Sequence, residues 1–180
     1  GGNAEECGHT LLLDTNVVLP ILAEHHPYHD TYRSILGRTQ RLGISLQVTD
    51  DIINETKGNL LIGINEIATL RREGLNITEA MSAYVQLCHP SDSNPFVLGF
   101  ANALSSTELT WEEYIGDLAN RGCTRPDKSS IQAALENWGI TFTPPSESPS
   151  IDSESLEELT DVIVDLRGAR RGMPFPKHRR

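Results

Sequence analysis

Thr10-Leu11-Leu12-Leu13-Asp14-Thr15-Asn16-Val17-Val18-Leu19 is the stretch on which the fold turns. Its apolar run up to Leu13 does not alternate with polar residues, the pattern of a strand covered on both faces, and such strands belong to parallel sheets. A helix is predicted over Val17 to Ala23, with Pro20 tolerable only near its first turn. Asp14 therefore falls where a buried strand ends and a helix begins. In open parallel sheets ligands bind outside the carboxyl ends of the strands, so this is a place for a group that holds something. Thr15 and Asn16 have side chains short enough to bond the Asp14 carboxylate or to cap the helix that follows. Two readings of the tripeptide stay open, a plain helix cap and a fixed oxygen ligand.

Working outward, apolar positions at Tyr28, Tyr32, Ile35, Leu36 and Leu42 have helical spacing and Gly43 supplies a stop. Ile44 to Val48 reads as a second strand. Thr49 follows as a helix N-cap, with Asp50 and Asp51 in the first turn, where the helix dipole favours acid. The stripe Ile52, Ile53, Leu60, Ile64, Ile67 and Leu70 carries this helix to about Arg72, with Gly58 or Gly63 as places to bend, and a further helix is expected at Thr78 to Leu87. The expected class is one α/β domain. Its organisation reads as an N-terminal extension over 1–9, the first half of a core over 10–88, a helical insertion with a Pro/Ser linker over 89–150, and a helix with a basic tail over 151–180. Within the insertion, helical stretches fall near 96–104, 110–120 and 129–138, and Ile140 to Thr143 reads as a short strand. The last helix, Ser153 to Arg167, has Glu157 and Glu158 early and Arg167, Arg170 and Arg171 late, in accord with the macrodipole.

A net charge of −10 argues against a nonspecific nucleic-acid coat, because binding to phosphate depends on neutralisation by Lys and Arg. The charge is uneven. Residues 1–166 hold nine of the 15 bases and all 25 acids, a net −16, whereas residues 167–180 carry six bases and no acid. No apolar run approaches the roughly 18 to 20 residues that span a bilayer, and the N-terminal residues lack the features of a signal peptide, so the expected setting is the cytoplasm with no membrane contact. Cys7, Cys88 and Cys123 are widely spaced and form no CxxC pair, a pattern of ordinary reduced thiols.

The stretch Leu11-Leu12-Leu13-Asp14-Thr15-Asn16-Val17-Val18-Leu19 resembles the opening motif of PIN domains, a family of metal-dependent nucleases. Glu24-His25-His26-Pro27-Tyr28-His29 is similar to the segment that many bacterial members carry between their first two helices. A strand followed at once by a helix with an acid on its first turns is similar too, and here that acid is Glu55. The resemblance covers about the first 60 to 75 residues. It implies a three-layer α/β/α fold with a short central parallel sheet between helices, and carboxylates that gather Mg²⁺ or Mn²⁺ to activate water against a phosphodiester. Asp14 and Glu55 would be the metal ligands and catalytic carboxylates, and Asn16 an orienting group behind them. RNA is the implied substrate, with DNA as the second option. The implied activity is that of an endoribonuclease of the kind used in toxin or defence systems, acting alone, as a homo-oligomer or with a protein partner chain.

The later acids of the family have no secure counterpart. Asp152, Asp161 and Asp165 are candidates by order, yet Asp161 and Asp165 lie inside an expected helix. The chain stops at Lys177-His178-Arg179-Arg180, where the third-acid helix is expected to begin, so it reads as a fragment whose remainder would hold the last strands and the other half of the metal site. Two rival functions follow. A degenerate or truncated PIN-like domain would serve as a protein interaction module, with the helical insertion as its docking surface. A phosphotransferase with an aspartyl nucleophile ranks last, since the second Asp it needs two residues on is Asn16 here. His25 and His29 have the spacing of a helical metal pair, but Pro27 spoils that helix, leaving a loop with surface histidines. Arg33, Arg38 and Arg41 read as a solvated face, and Trp111, Tyr114 and Trp138 as packing residues.

Overall fold

The structure, a computed structural model, describes residues 9–90, 92–120 and 122–143. The expected helix over 153–167, the Pro/Ser linker, the basic tail, and Cys7, Asp152, Asp161 and Asp165 lie outside the described residues. In chain order the elements are β1 (Thr10–Leu12), α1 (Thr15–Leu22), α2 (His29–Arg41), β2 (Ser45–Val48), α3 (Asp50–Arg72), α4 (Ile77–Leu87), α5 (Pro95–Leu104), α6 (Trp111–Ile115), α7 (Lys128–Asn137) and β3 (Ile140–Phe142). The strands form one parallel sheet in the order β1-β2-β3, with Leu11 beside Leu46 and Leu46 beside Ile140. A parallel neighbour needs a crossover between strands, and helices provide both. The class is α/β, compatible with a three-layer α/β/α order.

Parallel pairing puts the carboxyl ends of all three strands at one end of the sheet. Asp14 and Asp50 follow β1 and β2 there, each two residues beyond its strand. Thr49 is the N-cap of α3, as expected, but through its backbone: it is extended and its side chain makes no cap hydrogen bond. Asn76, Asn94, Thr110 and Asp127 cap α4, α5, α6 and α7 with their side chains, each accepting from backbone N–H groups of the first turn.

The core joins the early and late parts of the described chain. Val18, Ile21 and Leu22 of α1, Leu36 of α2, Leu46 and Val48 of β2, and Ile53, Leu60 and Ile67 of α3 are buried with Phe96 and Phe100 of α5, Trp111, Ile115, Ile131, Leu135 and Ile140. The stretch read as a helical insertion thus contributes α5 and α7 to the same core, and β3 to the same sheet. Two glycines permit the tight contacts this needs. A Cβ on Gly63 of α3 would stand 3.2–3.3 Å from Asn94, Trp111 and Val97, and one on Gly99 of α5 would stand 2.0 Å from the Tyr114 hydroxyl. That hydroxyl donates to the Glu24 carbonyl at 2.6 Å, fastening α6 to the turn after α1.

Three expectations are corrected. Among the described residues β1 is an edge strand and is not covered on both faces, with Leu11 and Leu12 44% and 60% exposed. The apolar run reports what the strand is suited for, and the described residues cover only Leu13. Pro20 lies well past the first turn of α1, because the helix begins at Thr15 rather than Val17. On α2 the stripe is narrower than read, since Leu36 is buried while Tyr28, Ile35 and Leu42 are exposed.

Candidate functional site

Asp14 occupies the N-cap position of α1 with extended backbone, yet its side chain makes no cap hydrogen bond. Asp14 thus caps α1 through its backbone carbonyl, which accepts from Val17 and Val18 N–H, and not through its side chain. Its Oδ2 instead accepts a hydrogen bond from Asn16 Nδ2 at 2.8 Å, so the carboxylate is turned to a neighbour that can steady it without changing its charge. Asp14 and Asn16 are both exposed.

Thr15 links this corner to α3. It is only 3% exposed, and its Oγ1 donates to Glu55 Oε2 at 2.5 Å. Glu55 lies between one and two turns into α3, on a face that α1 meets, while its own side chain is exposed. Two acids 41 positions apart are thereby brought to one corner, at the carboxyl end of β1 and β2. Of the three residues singled out from the sequence, Asp14 and Asn16 are hydrogen-bonded to each other, and Glu55 is joined to their neighbour Thr15. The structure adds Thr15, for which the sequence suggested only a bond to Asp14 or a cap. The signal was a hydroxyl beside the acid; its partner was invisible because a contact across 40 residues leaves no trace in spacing.

In kind, the two carboxylates are donors that a hard cation prefers. Carboxylate and amide oxygens are what Mg²⁺ and Mn²⁺ prefer, and Mg²⁺ is often held by one or two carboxylates, with water and substrate phosphate supplying the rest. Among the described residues neither Asp14 nor Glu55 forms an ion pair with Lys or Arg. No group of three or more His, Cys, Asp or Glu gathers among the described residues.

Asp50, the first residue of α3, has a different fate. It pairs with Lys128 at the start of α7 and accepts from Asn54 Nδ2 at 3.2 Å. The Lys128 ammonium holds its carboxyl below the ordinary carboxylate range. This matches its reading as a first-turn helix acid.

The histidines take no part in a metal cluster among the described residues. His29 is the first residue of α2, and its Nδ1 lies 3.0 Å from the Pro20 carbonyl. His26 is buried rather than on the surface, accepts from the Tyr28 N–H, and has its pKa lowered to about 4, chiefly by burial and then by His29. His25 has a left-handed backbone, with φ at +61°. Trp111 and Tyr114 pack against Phe100, and Trp138 packs beside His29 with the Arg33 guanidinium over its ring. Cys88 and Cys123 are free thiols. No described helix is long and apolar enough to cross a membrane.

Comparison with protein-family models, with curated proteins and with solved structures finds no match to this chain.

Proposed function

We propose that the chain is a PIN-like, metal-dependent endoribonuclease domain, in which Asp14 and Glu55 hold Mg²⁺ or Mn²⁺ and Asn16 orients Asp14. The observation that carries this reading is the hydrogen bond from Thr15 Oγ1 to Glu55 Oε2, which draws the acid of α3 to the residue next to Asp14. Helices connecting a short parallel sheet, with both acids at the carboxyl ends of its strands, support the PIN-like assignment. When bound there, the ion would lower the pKa of a water molecule and offset charge on the scissile phosphate. The chain's own residues would fix two carboxylates, at a corner open to solvent and therefore to a polymer. RNA is favoured over DNA on the resemblance alone, and so is a toxin or defence setting.

The test is cleavage of labelled single-stranded RNA by the full chain with Mn²⁺, beside Asp14→Asn, with single-stranded DNA of the same sequence as a second substrate. The reading expects cutting that the substitution removes. Cleavage unaffected by Asp14→Asn would sink the mechanism.

A second reading, a protein interaction module, is favoured by a specific surface. A cavity of about 490 Å³ opens between α3, α4 and α5, lined by Ile62, Leu70, Met81, Tyr84 and Val97, with Glu66 on its wall. Burial raises the pKa of Glu66, and no Lys or Arg pairs with it among the described residues. An apolar segment of a partner protein carrying one basic residue would match the lining and the charge. Leu61 and Val85 add exposed apolar surface on α3 and α4, the helices that line the cavity. Ile62→Asp, without effect on Mn²⁺-dependent cleavage, separates this surface from the metal corner.

A further inference from the structure

The cavity between α3, α4 and α5 measures about 490 Å³, within the roughly 300–1,000 Å³ of sites that take small organic molecules. Its wall is mainly apolar. Ile62 and Leu70 come from α3, Met81 from α4 and Val97 from α5, and Met81 and Val97, each 1% exposed, make a floor continuous with the core. Set in this wall is a single charge. Glu66 lines the cavity from α3, is part-buried, and pairs with no Lys or Arg among the described residues. A carboxylate partly stripped of water with no cation beside it carries an uncompensated desolvation cost, and its raised pKa has that cause.

Tyr84 of α4 lines the same space, and its hydroxyl oxygen accepts from the Asn94 N–H at 3.1 Å, which ties down the far end of the ring. Burial raises the Tyr84 pKa most, and the Glu66 charge raises it further, so ring and carboxylate lie within electrostatic reach of each other. We propose that this cavity is a binding site for a small organic ammonium, a cationic nitrogen carried on an apolar body. Each part of such a ligand has its counterpart. The body meets the aliphatic wall and the Met81 thioether, whose flexible, polarisable chain adapts to irregular shapes. The nitrogen meets the Glu66 carboxylate and the Tyr84 ring, whose electron-rich face attracts organic cations. A basic side chain of a partner protein would share this head group, but the polar lining residues of α3, Asn65, Glu66 and Thr69, gather within about one turn of the helix rather than along a groove. That concentration favours a small molecule. The site is separate from the corner of Asp14 and Glu55, and nothing in its chemistry depends on a metal there.

The chain has two methionines, Met81 and Met173, so isotope labelling of the methionine methyl groups gives two NMR signals, one of them from the cavity floor. Loss of a signal in Met81→Leu assigns it. The full chain is titrated with octyltrimethylammonium, octanol and octanoate, which share a body and differ in the head, and separately with an amphipathic helical peptide bearing one lysine. The expected result is a saturable shift of the Met81 signal with octyltrimethylammonium, at an affinity about tenfold or more above that for octanol and octanoate. Glu66→Gln, which keeps the shape and removes the charge, should weaken the ammonium by about tenfold and leave octanol within about twofold. Equal affinity for the three heads, no saturable shift at Met81, or ammonium binding unchanged in Glu66→Gln overturns the proposal. So does a peptide that moves the Met81 signal where octyltrimethylammonium does not, an outcome that makes the cavity a docking surface for protein instead.

Discussion

Two of the three acids in the first two turns of α3 are treated by the fold in opposite ways. At the corner with α7, Asp50 meets the Lys128 ammonium and the Asn54 amide. At the corner with α1, Glu55 meets the neutral hydroxyl of Thr15, while Asp14 nearby meets the neutral amide of Asn16. A cation beside a carboxylate consumes its charge locally. A neutral donor orients the carboxylate and leaves the charge to act on something else. On the proposed reading, the contrast separates a fastening acid from a binding one on the same helix by the charge of its partner and not by its exposure.

The comparison can be broken most severely at Glu55. Glu55→Gln keeps the size of the side chain and removes its charge, and Mn²⁺-dependent cleavage of RNA should fall by about two orders of magnitude or more, as expected where a metal supplies several kcal/mol of transition-state stabilisation. Thermal unfolding should hardly move, since Glu55 is exposed and without an ion pair among the described residues. A large drop in melting temperature with little change in cleavage would make Glu55 a fastening acid after all. Asn16→Ala tests the neutral orienting group. A loss of about tenfold in Mn²⁺ affinity is expected, with Asp14 itself untouched.

Lys128→Met tests the other corner. It should leave cleavage within about twofold and lower the melting temperature by less than about 4 °C, since pairs of this exposure contribute little. The smallest effect is in the acid limb. The folded carboxyl of Asp50 titrates below its ordinary value of 3.8, so the Lys128 contact contributes stability above that pH and loses it as pH falls through the lowered folded value. Asp50→Asn should flatten stability against pH below about 4 and leave the neutral range alone. His26 adds a separate slope with the same sign. Its folded pKa of about 4 lies below the ordinary 6.5, so the unfolded chain takes up a proton first, and stability declines as pH falls between those values. His26→Gln should remove that slope in chemical denaturation measured from pH 7 to pH 4.

Much of the framework was legible where local rules act alone. The expected helices at Tyr28 to Leu42, Thr49 to Arg72 and Thr78 to Leu87 lie within one or two residues of α2, α3 and α4, because apolar spacing and the stop at Gly43 are local signals. Ile140 to Thr143 is β3, less its last residue. What escaped was long-range. Thr15 reaching Glu55, and Lys128 reaching Asp50 across 78 residues, depend on which helix faces meet, and spacing within one segment says nothing of that. The exposure of β1 escaped for the same reason, since an apolar run specifies suitability for burial and its neighbours decide the outcome. Asp14 was half legible. Its position at a strand-to-helix junction and at the helix N-cap could be read, but not that its side chain turns to Asn16 instead of bonding the first-turn N–H groups.

The central claim is that Asp14 and Glu55 hold one ion between them, and a double-mutant cycle on Mn²⁺ affinity tests it most directly. Asp14→Asn, Glu55→Gln and the double variant would be titrated alongside the unaltered chain. If the acids share an ion, the first substitution destroys the site and the second adds little, so the double variant binds about as weakly as the weaker single one. If the two losses simply add, the carboxylates serve separate sites or none, and the account of this corner is contradicted.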